Sequence, residues 1–112
     1  MKFNTETKTF SAVTTAALSY SQKAAFYITT GMISIETGAN VVTLRTTNNK
    51  TNFLCTVPAD IIEPGRVFVS TEKLAGILSN ISAENVAVEN VNSKLYIKPL
   101  EGRKTKVSLA CR

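Results

Sequence analysis

The residue types that do chemistry are few in this sequence and stand far apart. There is no histidine, and the two cysteines, Cys55 and Cys111, match no CxxC spacing. Ser-His-Asp and Cys-His catalysis, histidine-based zinc sites and four-cysteine zinc sites are therefore excluded. The acids Glu63, Glu72, Glu84, Glu89 and Glu101 are dispersed, and Asp60 is the only aspartate, so no aspartate cluster offers itself to metal ions. Gly31, Gly38, Gly65, Gly76 and Gly102 are each isolated, which leaves no glycine-rich loop to cradle a phosphate. The residues thus read as those of a non-enzyme without cofactor or metal. The cysteines read as small buried apolar side chains of a reducing compartment, not as a disulfide.

What remains is positive charge. The 112 residues carry 13 Lys+Arg against 8 Asp+Glu, a net +5. Lys94, Lys98, Arg103, Lys104, Lys106 and Arg112 all fall in the last nineteen residues and are opposed there by Glu101 alone. The first 93 residues balance seven bases against seven acids. A cationic end on a neutral body is an electrostatic footprint for phosphate. It equally suits a solvated hairpin whose charges aid solubility.

The elements that must position these residues follow from periodicity. Met1–Asn4 opens as a short strand, and Thr5 or Thr7 is placed to cap a helix. Phe10, Val13, Ala17 and Tyr20 make one apolar stripe on that helix, with Lys8, Ser11, Thr15, Ser19 and Gln22 opposite. From Ala25 the period changes to two. Phe26 and Ile28, then Met32, Ile33 and Ile35, lead to a turn at Gly38-Ala39-Asn40. Val42 and Leu44 lead to a turn at Asn48-Asn49-Lys50, and Phe53, Cys55 and Val57 alternate on the next strand. After the Glu63-Pro64-Gly65 turn, Arg66–Val69 is a strand and Ser70 or Thr71 caps a second helix striped by Leu74, Ile77, Leu78 and Ile81. Strands at 86–91, 94–98 and 106–111 complete the chain.

Written as elements, this is βαβββ followed by βαβββ, with halves at approximately 1–59 and 66–111. The expectation is an α+β fold, a duplicated unit with two helices packed on antiparallel sheet, in a single domain spanning 1–112. Composition agrees with a globular chain, at 44% apolar and 19% charged. No apolar stretch approaches the roughly 20 residues of a membrane span, and no secretory signal opens the chain, so it is read as cytoplasmic.

Several segments carry a resemblance. The opening Met1-Lys2-Phe3, the stretch Val57-Pro58-Ala59-Asp60-Ile61-Ile62-Glu63-Pro64-Gly65, and Val69-Ser70-Thr71-Glu72-Lys73-Leu74 resemble the bacterial DNA polymerase III β subunit, a DNA sliding clamp. Gly102-Arg103-Lys104-Thr105-Lys106-Val107-Ser108-Leu109 is similar to the basic hairpin and final strand of that family's first domain. The likeness rests on the order and spacing of these segments over nearly the whole chain.

The resemblance implies a mechanical role. Three such domains per chain, two chains head to tail, form a ring that holds the polymerase on duplex DNA by topology. Helices line the hole, and contact with DNA is independent of sequence. By this likeness Lys23, Lys73, Arg103, Lys104 and Lys106 are DNA-binding, and Val107 and Leu109 pack against a neighbouring subunit. The partners implied are duplex DNA and other clamp domains or copies of the same chain. The family's pocket for polymerase and clamp-loader peptides belongs to its other domains. The chain is thus read as the first domain of a longer clamp or as a single-domain relative; one domain cannot close a ring by the usual two-chain route, and such a relative would reach six domains by homo-oligomerisation through an open edge strand. The loop after the first helix, residues 20–28, lacks the Gly and Pro common in the family. A second reading, a module that binds or mimics a host clamp, predicts tight clamp binding without affinity for DNA.

Overall fold

Strict alternation of apolar residues builds one sheet with a single buried face. The computed structural model describes residues 1–22, 32–47, 52–102 and 106–112. Its elements are β1 (Lys2–Glu6), α1 (Thr7–Gln22), β2 (Met32–Thr37), β3 (Val41–Thr47) and β4 (Asn52–Glu63), then β5 (Arg66–Ser70), α2 (Thr71–Ser79), β6 (Asn85–Val91), β7 (Lys94–Pro99) and β8 (Val107–Ala110). This is the expected βαβββ order, twice. The strands form one eight-stranded sheet in the order β5-β2-β3-β4-β1-β6-β7-β8, antiparallel throughout. The expected strand around Phe26 and Ile28 and the turn at Asn48-Asn49 lie outside the described residues.

The two halves exchange their first strands. β1 pairs with β6 of the other half, and β5 pairs with β2. β1 also pairs with the end of β4, Thr5 against Ala59 and Phe3 against Ile61. The corresponding contact of β5 is with the end of the chain: Val69 bridges Cys111, and Phe68 and Arg112 exchange backbone hydrogen bonds of 3.0 and 2.9 Å. The two edges of the sheet therefore meet at one corner.

The register also shows a residue-level echo that the sequence alone conceals. Thr7 opens α1 and Thr71 opens α2, sixty-four positions later. At the same offset Phe3 matches Val67, Thr5 matches Val69, Phe10 matches Leu74 and Thr14 matches Leu78, and every one of these is buried. Apart from the threonine pair the residue types differ, but the inward positions coincide.

The core lies between the helices and one face of the sheet. Phe3, Ile33, Ile35, Val42, Leu44, Val57, Val67, Val69, Val86, Val88, Leu95 and Ile97 point into it from the strands, and Phe10, Ala17, Leu74 and Leu78 from the helices. Burying side chains of this size contributes about 1.5–3 kcal/mol each. Phe3 and Phe10 meet edge to face, with centroids 6.0 Å apart, a geometry worth about 0.5–1.5 kcal/mol beyond its area.

Several local expectations are corrected. Neither Thr5 nor Thr7 caps α1. β1 runs on to Glu6, paired with Asn85, and Thr7 is already helical with its N–H donating to Glu84 O at 2.8 Å. The Thr5 hydroxyl instead donates to Pro58 O at 2.7 Å. Thr14, outside the expected stripe, is fully buried, and its hydroxyl donates to Phe10 O at 2.8 Å. α2 ends at Ser79, so Ile81 packs on the core from beyond the helix. β4 continues through Pro58 to Glu63, which is what lets it reach β1. Cys111 is buried, whereas Cys55 is only half-buried, and both are free. At the second helix Ser70 is the N-cap, its Oγ accepting from the Lys73 N–H at 3.3 Å.

Candidate functional site

Two surfaces stand on this scaffold, and the charges divide between them. The helix layer, where α1 packs beside α2, is formed from side chains that the stripes turn away from the core. Lys8, Ala12, Thr15, Ala16 and Ser19 are exposed on α1, and Glu72, Lys73, Gly76 and Ser79 on α2. It is a small-residue, polar surface with little net charge. The opposite face of the sheet carries the outward positions of β7, Lys94, Tyr96 and Lys98, which alternate with buried Leu95 and Ile97. Lys106 joins them, its Nζ 4.5 Å from the Tyr96 ring centroid. The ion pairs among the described residues are loose and exposed, Lys2 with Glu89 at 3.9 Å and Arg66 with Glu36 at 3.7 Å, and pairs of that kind contribute about 0–1 kcal/mol.

Of the residues singled out for phosphate, Lys73 stands on the helix layer and Lys106 on the outer face of the sheet. Lys23, Arg103 and Lys104 lie outside the described residues. The residues singled out for subunit contact fall on β8. Leu109 pairs with Leu95 and is 8% exposed, while Val107 pairs with Ile97 and is half-buried.

Lys73 and Leu109, separated by thirty-six positions, line the same groove. It is an open trough of ≈ 540 Å³, with Lys73, Gly76 and Ile77 of α2 and its C-cap Asn80 on one wall and Ser108 and Leu109 of β8 on the other. Along it, Val107–Ala110 pair with β7 on one side, and among the described residues no strand is registered against their other side. β4, the counterpart of β8 in the first half, pairs with β3 over Asn52–Pro58 and with β1 from Ala59 onward. An unpaired edge such as that of β8 is a template for strand addition.

Sequence reasoning did not single out Gly76, Ile77 or Asn80 as members of this groove. Ile77 was counted as core and is half-buried. The available sign was Gly76 itself, a residue unfavourable in a helix interior by about 1 kcal/mol relative to Ala. Among the described residues no group of three His, Cys, Asp or Glu side chains could hold a metal ion, and no helix is long and apolar enough to cross a membrane.

No protein-family model and no curated protein sequence matches the chain. Solved structures do. The chain is similar over its whole length to the Caulobacter crescentus pol III beta, with a TM-score of 0.87 at 16% identity. It is likewise similar to the DNA polymerase III subunit beta of Pseudomonas aeruginosa, at 0.86 and 15%, and to the beta subunit of the Streptococcus pyogenes DNA polymerase, at 0.79 and 18%. In each case it spans 30% of the length of the other chain. Two helices laid on an eight-stranded antiparallel sheet, with exchanged first strands, thus give this chain the fold of one domain of a bacterial DNA polymerase III β subunit.

Proposed function

We propose that this chain is the building unit of a DNA sliding clamp: copies associate head to tail into a ring around duplex DNA and confer processivity on a polymerase without catalysis of their own. One observation carries the reading. The whole chain has the fold of a β-subunit domain, and among the described residues Val107–Ala110 of β8 carry no second strand, an edge that a neighbouring copy can extend. In this reading the β8 face of one copy, with Val107 and Leu109, packs against its neighbour. Lys23 and Lys73 are phosphate contacts, and Arg103, Lys104 and Lys106 supply a basic rim. The short Thr, Ser and Ala side chains of the helix surface suit contact that is independent of sequence, as sliding requires. The work is done in the cytoplasm, where the duplex is.

Light scattering across a wide concentration range tests this. The expected result is a discrete species near six times the 12.1 kDa chain mass. Monomer at every concentration, with no duplex DNA bound at low salt, would contradict it.

A further inference from the structure

Three lysines of the second half share one face with a tyrosine and have no acid to answer them. Lys94, Tyr96 and Lys98 point outward from β7, alternating with buried Leu95 and Ile97. Outward residues of an antiparallel strand stand about 7 Å apart, so the tyrosine separates two cations in a line. Val107 pairs with Ile97, which sets Lys106 beside Lys98, and the Lys106 Nζ lies 4.5 Å from the Tyr96 ring centroid. Like charges side by side on a sheet oppose folding. All eight acids of the chain lie among the described residues, and the ion pairs found there are Lys2 with Glu89 and Arg66 with Glu36. Glu89, opposite Tyr96 on β6, is engaged with Lys2, and Glu101 accepts from the Asn85 N–H at 2.9 Å. Lys94, Lys98 and Lys106 are left exposed, without a carboxylate partner.

We infer that this outer face binds single-stranded nucleic acid, with phosphates on Lys94, Lys98 and Lys106 and a base stacked on Tyr96. Cations that track a backbone past an aromatic platform are what sequence-tolerant binding of a single strand requires. The ligand is a single strand because a duplex keeps its bases stacked on one another and offers none to the ring. It is a nucleic acid and not an acidic peptide because the neighbouring outward positions are short. Ala87 pairs with Lys98, Ser108 with Tyr96 and Ala110 with Lys94, so the face around the ring is flat and suits a base plane better than branched side chains. The inference does not depend on ring closure, and Lys106 is the one residue it shares with the proposed basic rim.

Charge and stacking leave different signatures in a salt titration of the full chain with a fluorescein-labelled oligothymidylate, read by anisotropy. Lys94→Ala and Lys98→Ala are each expected to weaken binding at low salt and to reduce the slope of log affinity against log salt by about 0.7. Tyr96→Leu keeps an apolar residue on the strand and is expected to weaken binding about tenfold with the slope unchanged. Urea midpoints within the error of the parent's show that the lysine variants are folded, so the inference does not hang on the tyrosine variant alone. Absence of oligothymidylate binding by the parent at low salt overturns the inference and leaves the ring reading standing. Unchanged affinity in Tyr96→Leu, with a duplex of the same length bound as tightly, overturns it too, since bare charge would then suffice. Tighter binding of an oligoglutamate than of the oligothymidylate also overturns it, and assigns the face to an acidic protein.

Discussion

Among the described residues, the Thr71 hydroxyl, buried in the first turn of α2, has no hydrogen-bond partner, and that of Thr7 in α1 has none either. A buried hydroxyl left unpaired costs about 1–3 kcal/mol. Thr71→Val removes the hydroxyl while keeping the branch that fills the site. It is expected to raise the unfolding free energy by roughly 1 kcal/mol in urea titration, whereas a loss of that size would mean that the hydroxyl is satisfied. The pair stands at equivalent positions of the two strand-to-helix corners. At this scale the sequence was legible where local chemistry decides. Ser70 was among the expected caps because its hydroxyl serves its own helix. Thr5 was misread because a partner fifty-three residues away, Pro58, takes its hydroxyl, and no spacing rule sees that.

Between the halves, the turn at Gly65 ties three segments together. Its N–H donates to Thr37 Oγ1 at 2.8 Å, its carbonyl accepts from the Thr37 N–H at 3.0 Å, and a Cβ there would stand 2.8 Å from the Met1 Cβ. Met1 cannot simply swing away, since its carbonyl accepts from the Asn90 N–H at 2.9 Å. Gly65→Ala is therefore expected to cost about 1–3 kcal/mol through overpacking, read as a lower urea midpoint. An unchanged midpoint would show that the first strand yields. Element order was recoverable from sequence because strand and helix periods differ and the turns carry Gly, Pro and Asn. Which strand pairs with which was not: the exchange of β1 and β5 depends on contacts across more than thirty residues. The length of β4 was likewise hidden, since Pro58 reads as a strand end until β1 is seen to pair beyond it.

For the whole molecule, the question is where the charge goes. Among the described residues, the lysines of the cationic end do not gather on the helix layer. Lys94, Lys98 and Lys106 fall on the outer face of the sheet, and the helix layer keeps Lys8 and Lys73. Charge counting found the excess but not its face, because alternation along β7 is fixed only once Leu95 and Ile97 are known to point inward. The groove of Lys73, Gly76 and Leu109 was half legible: two of the three were selected by likeness to the clamp family. The glycine emerged only when its surroundings were seen to be open. A weakly charged lining predicts that retention on DNA depends on closure of the ring more than on affinity. The decisive measurement is therefore retention of the assembled protein on nicked circular duplex DNA during gel filtration at moderate salt, before and after the circle is cut once. Encirclement predicts that the protein stays with the circle and is lost from the cut DNA. Equal retention on both forms would contradict it.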